Sequence, residues 1–330
     1  MILVTGASGF IGSHVVERLL RDGRKVRGLV RASSDLTCLE GVDVELVRGD
    51  IMDGASLDEP MRGVEVVVHV AGFVSDWDPR EECLSVNVHG TRNVIEAARA
   101  AGVRRLVHIS TAALHGFPGA RTQDESSPMP ETPFAYCESK KQAEREVFAS
   151  GLEVTAIRPG NVFGPRDHTF TDKYAQALEH GKGAYVGGGR SWTCPVYVEN
   201  LADAIALACF EPAAAGEAFL VTDGLDIDWR TFTEKLADEL GVKRPRFSIP
   251  FWLAYPLAAA MEGAYRVVGA ANSPLLTRYR VCNGGRDYHF SIAKARRVLK
   301  YEPKVGLEEA LRRTVRWYRE VRTPKRVRRS

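Results

Sequence analysis

Short runs of apolar, largely β-branched residues alternate along the chain with segments whose apolar positions recur at helical spacing. The runs are ILVT from Ile2, KVRGLV from Lys25, VDVELV from Val42, VEVVVHV from Val64, RRLVHIS from Arg104, LEVTAIRP from Leu152 and EAFLVTD from Glu217. Behind the first of them Val15, Val16, Leu19 and Leu20 share one helical face, and most later gaps carry a similar pattern. Near-continuous apolar strands separated by amphipathic helices predict a mainly parallel sheet of about seven strands covered on both faces, an α/β doubly wound fold of Rossmann type. After Pro165 the alternation lapses. Residues 1–165 are therefore expected to form the sheet domain, with 195–225 returning to it through EAFLVTD. Residues 166–194 and 226–330 are expected to form a smaller, mostly helical substrate lobe.

Ligands of such sheets bind beyond the carboxyl ends of the strands. Directly after the first run stands TGASGFIG, Thr5 to Gly12, with glycines spaced G-x-x-G-x-x-G. Glycine packs nothing in a strand, so the cluster calls for a geometrical reason. At a strand-to-helix turn it lets backbone approach a pyrophosphate, which the free N–H groups and positive dipole of the helix N-terminus attract. Gly6, Ser8, Gly9, Phe10, Ile11 and Gly12 are thus candidate cofactor contacts; the plainer reading is a glycine-rich turn without a ligand.

Composition narrows the classes. With 330 residues and a net charge of +3, the chain is long enough for a large core and shows no general affinity for nucleic acid. A run of lysines and arginines from Arg312 to Ser330, against the single acid Glu320, reads either as a solvated helix end or as a contact for an anionic surface or partner. Cys38, Cys83, Cys137, Cys194, Cys209 and Cys282 form no CxxC pair and no metal spacing, which points to a reducing compartment. No signal peptide is visible, and a cytoplasmic location is expected. The most apolar stretch, Ile249 to Ala271, is interrupted by Pro256, Glu262 and Arg266. It reads as core, as a lid or as a segment lying on a membrane, not as a span.

Chemistry is carried by FAYCESKKQAEREV, where Tyr136 and Lys140 stand four apart on one helical face. An ammonium beside a phenol lowers its pKa and suits it to exchanging a proton with an alcohol or carbonyl oxygen. The run RRLVHIS leads into Ser110 and Thr111, hydroxyls placed to hold a substrate oxygen or simply to satisfy local backbone.

Together, TGASGFIG, RGDIMD, HVAG, NVHGTRNVIEAA, HISTAALHG, Tyr136-x-x-x-Lys140 and RPGNVFGP, in this order, resemble the extended short-chain dehydrogenase/reductase superfamily over nearly the whole chain. The resemblance implies Tyr136 as catalytic acid/base, Lys140 binding the nicotinamide ribose and tuning that phenol, and Thr111 at the hydroxyl position with Ser110 beside it. It also implies Asp50 and Ile51 beside adenine, Ala71 and Gly72 on the ribose side, Pro159, Asn161 and Val162 near nicotinamide, and Asn87 supporting the site from a helix. Homodimer formation through the helices of NVHGTRNVIEAARAAG and YCESKKQAEREVFAS is implied as well.

Behind the second run, NAD enzymes usually carry an acid for the ribose 2′-hydroxyl. Here Arg31, Ser33 and Ser34 occupy that region, which suits a 2′-phosphate, so NADP(H) is expected, with NAD(H) as the alternative. The C-terminal half resembles the 3β-hydroxysteroid dehydrogenase and sterol-4-carboxylate 3-dehydrogenase branch. That implies a hydrophobic 3-hydroxy or 3-oxo substrate, for which Val74, Asn161, Thr193, Trp252 and Tyr255 are candidate contacts. Asn161 also matches the position at which sugar-nucleotide epimerases and dehydratases hold a diphosphate. Their Arg ahead of the PVYV segment is replaced here by Thr193 and Cys194, with Arg278, Arg280 and Arg286 as substitutes. Intact Thr111, Tyr136 and Lys140 argue against a third reading, a cofactor-binding regulator without chemistry.

Overall fold

The computed structural model describes residues 1–77, 79–270 and 272–327, with 322–327 by backbone alone; the basic positions after Arg319 therefore lie outside the described side chains. Each of the apolar runs forms a strand: β1 (Ile2–Thr5), β2 (Val26–Val30), β3 (Glu45–Arg48), β4 (Val66–His69), β5 (Arg105–Ile109), β6 (Glu153–Pro159) and β7 (Glu217–Val221). They build one seven-stranded sheet in the order β7-β6-β5-β4-β1-β2-β3, every neighbouring pair parallel. The order reverses between β1 and β4, which places a crevice beyond their carboxyl ends. Strands β1, β4 and β5 are buried along their whole length, as their lack of polar alternation requires.

Helix α1 (Phe10–Arg21) turns Val15, Val16 and Leu19 onto the sheet. Helices α2 (Gly90–Ala100) and α3 (Ala135–Phe148) lie on the other face, where Val94, Ala98 and Val147 meet Leu3, Val67 and Leu106. Helix α4 (Val198–Ala208) packs beside α1 in the first core. The remainder includes α5 (Trp229–Glu239), α6 (Phe251–Val267), α7 (Arg278–Gly285), α8 (Ala293–Leu299) and α9 (Leu307–Val327), with short strand pairs such as Ala120–Gln123 against Tyr288–Phe290. A separate core forms where Phe232 and Leu236 of α5 meet Ala310, Leu311 and Val315 of α9. Ile292, Ala295, Leu299 and Tyr301 fall within the span expected to belong to the substrate lobe. They pack instead into the core of the sheet domain with Phe219 and Val221.

Candidate active site

The turn after β1 is held open by glycine. Gly6 has φ +66°, and a Cβ there would stand 2.9 Å from the Ala71 backbone nitrogen; a Cβ on Gly12 would fall onto the Gly6 carbonyl. A side chain at Gly6 would collide with the loop after β4, and one at Gly12 would push α1 away from the strand end. Gly9 caps α1 with no side-chain bond, which leaves the first amides of the helix directed at the crevice.

That crevice is a cleft of 590 Å³. Gly6, Ser8, Gly9, Phe10, Ile11 and Gly12 line one end, together with Arg31, Ser34, Asp50, Ile51, Ala71 and Gly72. Ser110, Thr111, Tyr136, Lys140, Pro159, Asn161, Val162 and Val74 line the rest. Asn87 stands behind the wall. Its Oδ1 accepts from the Phe73 N–H at 2.8 Å, and its Nδ2 donates to the Phe73 carbonyl and to Ser139 Oγ, both at 3.0 Å. It thereby ties the loop after β4 to α3 from a π-helical turn, Ser85–His89, a local irregularity often found at functional sites. Gly72 fits closely into this arrangement, since a Cβ there would sit 3.1 Å from Asn87 Oδ1 and 3.7 Å from Lys140 Nζ.

Helix α3 carries Tyr136 and Lys140 and is anchored by a buried ion pair. Arg158 Nη2 donates to Glu144 at 2.5 Å, and Nη1 lies 3.4 Å from His115 Nε2. Lys140 Nζ donates to the Ile109 carbonyl at 2.5 Å, and burial lowers its pKa to about 8, with the Glu144 carboxylate opposing. Beneath it the rings of His69 and His108 lie 5.5 Å apart, both held neutral by burial. His69 bridges Thr5 Oγ1 at 2.8 Å and Thr91 Oγ1 at 3.0 Å.

Tyr136 departs from the sequence expectation. Burial pushes its phenol above the usual value, and a hydrogen bond with Thr111 only partly offsets this. Desolvation outweighs any neighbouring charge, so the protein alone holds Tyr136 as a protonated donor rather than a phenolate. Thr111 Oγ1 accepts from the Ala113 N–H at 3.2 Å. Ser110 Oγ is buried with no hydrogen-bond partner among the described residues.

Three substrate candidates fall elsewhere. Thr193 is buried behind the cleft and accepts from Asn161 Nδ2 at 3.0 Å. Tyr255 lines a separate cavity of 280 Å³ with Phe117 and Phe134. Trp252 is 74 % exposed on α6, on the side of the helix that faces away from its packed stripe of Ala254, Ala258 and Glu262. In their place the fold brings Phe73, Phe170, Tyr279, Asn283 and Tyr288 to the cleft. Asn283 forms a reciprocal amide pair with Asn161, at 3.3 and 3.2 Å. Only its polar character on α7 hinted at this in the sequence.

A parallel sheet with this strand order, an uncapped glycine-rich helix start and a Thr111, Tyr136, Lys140 cluster define an extended short-chain dehydrogenase/reductase. The chain belongs to the 3-beta hydroxysteroid dehydrogenase/isomerase family, whose model matches residues 3–251. It is 33% identical over 315 residues to the 4-hydroxy-2-methyl-3-oxo-4-farnesyl-3,4-dihydroquinoline-1-oxide ketoreductase of Stigmatella aurantiaca, covering 93% of each chain. It is 31% identical over 340 residues to the decarboxylating sterol-4-alpha-carboxylate 3-dehydrogenase of Mus musculus, covering 98% of this chain and 92% of that one. Among solved structures, the dTDP-glucose 4,6-dehydratase of Streptomyces venezuelae with NAD bound superposes with a TM-score of 0.79 at 29% identity, over 98% of both chains.

The protein is accordingly a nicotinamide-dependent oxidoreductase of this type. Its residues fit the cofactor: backbone amides for the pyrophosphate, Lys140 near the ribose wall of Gly72, and the unpartnered Ser110 hydroxyl within the cleft. Bound there, a nicotinamide would supply or take up hydride. A protonated phenol at Tyr136 can give a proton to a carbonyl oxygen in reduction, or take one from an alcohol in oxidation once ionised, and the Thr111 hydroxyl bonded to it can hold the same oxygen.

Proposed function

We propose that the protein is an NADP(H)-dependent oxidoreductase interconverting a secondary alcohol and a ketone on a hydrophobic 3-hydroxy or 3-oxo compound. One observation carries the substrate class: the cations that could hold a nucleotide diphosphate are engaged elsewhere. Arg278 pairs with Glu262 at 2.8 Å, Arg280 with Asp76 at 2.7 Å, and Arg286 donates to the Phe117 carbonyl at 3.0 Å with its guanidinium over Phe251. Among the residues lining the cleft the only cations are Arg31, behind β2, and Lys140, bound to Ile109. A diphosphate at the substrate end would be desolvated without a charged partner. The walls there are Phe73, Val74, Phe170, Tyr279 and Tyr288, with the Asn161–Asn283 amides supplying neutral polar contacts. Calorimetric titration of the NADPH-loaded protein with UDP-glucose and dTDP-glucose tests this reading: no binding at millimolar concentration is expected, and micromolar binding of either would overturn it.

The choice of NADP(H) rests on Arg31 and Ser34, which line the cleft end behind β2. The nearby acid is occupied, since Asp35 Oδ1 accepts from the Thr37 N–H at 2.9 Å and the Thr37 hydroxyl at 2.6 Å. Arg31→Asp is expected to weaken NADPH binding by roughly ten- to a hundred-fold while sparing NADH, the loss of one charge-assisted contact of about 1.5–3 kcal/mol. Equal NADPH affinity in the variant, read by fluorescence titration, would place Arg31 in solvent.

We also propose a homodimer built on α2 and α3. Arg92 and Glu146 lock these helices into one surface within the chain, with 2.5 Å bonds, and a two-fold contact would extend it into a four-helix bundle. Light scattering at micromolar concentration should give twice the chain mass. A monomer at that concentration contradicts the dimer.

A further inference from the structure

Two carboxamides on the cleft wall are built into one fixture from distant parts of the chain. Asn161 opens the short strand Asn161–Phe163, which pairs in parallel with Pro195–Tyr197, and its backbone N–H donates to the Cys194 carbonyl at 2.8 Å. The two backbones approach so closely there that a Cβ on Gly160 would stand 2.2 Å from that carbonyl oxygen. Asn283 lies on α7, where its own carbonyl accepts from the Trp229 indole N–H at 2.7 Å, and the Trp229 ring is buried edge-on against Phe170 and Phe232. Both backbones are thus fixed where the side chains meet.

A carboxamide offers two N–H donors and two lone pairs on its oxygen. Asn161 Nδ2 uses both of its hydrogens, on Thr193 Oγ1 at 3.0 Å and on Asn283 Oδ1 at 3.3 Å. Asn283 Nδ2 uses one, on Asn161 Oδ1 at 3.2 Å. One N–H on Asn283 and one lone pair on each amide oxygen therefore remain, and both residues border the cleft. This neutral set of one donor beside two acceptors discriminates among functional groups. A carboxylate brings acceptors only, so its charge would face the negative ends of two carbonyl dipoles for the sake of a single N–H. An ammonium brings donors only and leaves that N–H unmatched. An alkyl group leaves the whole set without partners. A hydroxyl donates to an amide oxygen and accepts from the Asn283 N–H at once.

Helix α7 also relates this set to the reacting end of the cleft. Tyr279 and Asn283 both line it from positions four apart, one face of the helix, about 6 Å from each other along the axis. The Tyr279 ring packs edge-on against Phe134 at 5.3 Å, and Phe134 caps the helix that carries Tyr136. Asn283 thus stands one helical turn beyond the ring that abuts the start of α3.

On the basis of the ketone reduction proposed above, we infer that Asn283, paired with Asn161, determines specificity, and that the apolar ketone carries, away from its carbonyl, a neutral group that both donates and accepts a hydrogen bond, a hydroxyl being the simplest. The test compares kcat/KM with NADPH for two frameworks, cyclohexanone and a saturated steroid 3-ketone. Each bears a hydroxyl, a hydrogen or a carboxylate at the ring carbon farthest from the carbonyl, and calorimetric binding to the NADP⁺-loaded protein is read alongside. In at least one framework wild type is expected to prefer the hydroxyl by about tenfold or more over both the hydrogen and the carboxylate. Asn283→Leu keeps most of the volume and removes the hydrogen-bonding set, so the hydroxyl-to-hydrogen ratio should fall to about one while NADPH affinity holds. Asn283→Asp supplies acceptors alone; it should retain part of the hydroxyl preference and reject the carboxylate more strongly than wild type does. Ketones turned over with no hydroxyl preference, or a preference that survives in Asn283→Leu, would overturn the role of Asn283 and leave the ketone reduction standing. Absence of both binding and turnover for every one of these ketones would overturn the two together.

Discussion

Tyr136→Phe is expected to slow the chemical step by about 10²–10⁴-fold, the range for loss of a general acid or base, equivalent to roughly 3–5 kcal/mol of barrier. The variant removes one hydroxyl whose protein partner is Thr111, so fold and cofactor affinity should persist. Because burial holds the phenol protonated, reduction draws on a proton already in place. Oxidation requires the phenolate, which must be favoured by Lys140 and by the cofactor's own charge. Single-turnover kinetics with a substrate that wild type clearly uses provides the measurement. Near-normal turnover in Tyr136→Phe would move the proton to Ser110, Thr111 or a bound water. Thr111→Val should lose less, since it removes an orienting contact and leaves the donor.

Lys140→Met is expected to lower turnover and cofactor affinity together, because in the proposed mechanism one ammonium holds the ribose and supports the phenol. Its effect on stability should run the other way. Burial depresses the Lys140 pKa from 10.5 to about 8, so the folded state binds fewer protons than the unfolded state between these values. Below about pH 8 the folded protein carries the full cost of a buried ammonium. That cost is relieved as pH rises from 8 to 10.5. Methionine removes the charge and keeps most of the volume, so the variant should melt higher than wild type at pH 7, with the gain shrinking through that window. Thermal melting across pH 6–10 checks this; a variant that melts lower at pH 7 would mean that the Lys140 bond to the Ile109 carbonyl outweighs its desolvation.

What the sequence made legible was local. Each strand of the sheet was announced by an apolar run bounded by turn residues, and Gly6, Gly9 and Gly12 marked the strand-to-helix turn. Tyr136 and Lys140 could be paired because they lie one helical turn apart. The resemblance of the joint motifs then supplied roles that spacing alone does not give. Less legible were the features that depend on which surface meets which. Trp252 and Tyr255 were equal candidates as aromatic residues in one apolar helix, but only the packed stripe of Ala254 and Ala258 decides which side of that helix is inside. Tyr279 and Asn283 reach the cleft from more than a hundred residues beyond Tyr136, by a route that no periodicity encodes. The partners of Arg278 and Arg280 were equally invisible, and the proposed choice of an apolar ketone over a diphosphate rests on them. The direction of the Tyr136 shift depended on burial, which a Tyr-x-x-x-Lys motif does not report.

The account centres on hydride transfer from NADPH to an apolar ketone. The most direct test follows NADPH absorbance with the purified protein and a panel of steroid ketones, long-chain β-keto acids, UDP-sugars and dTDP-sugars. The account predicts net NADPH consumption, matched mole for mole by alcohol product, with at least one apolar 3-oxo compound and none with the nucleotide sugars. Conversion of a nucleotide sugar without net change in cofactor, alongside no reaction with any ketone, would contradict it.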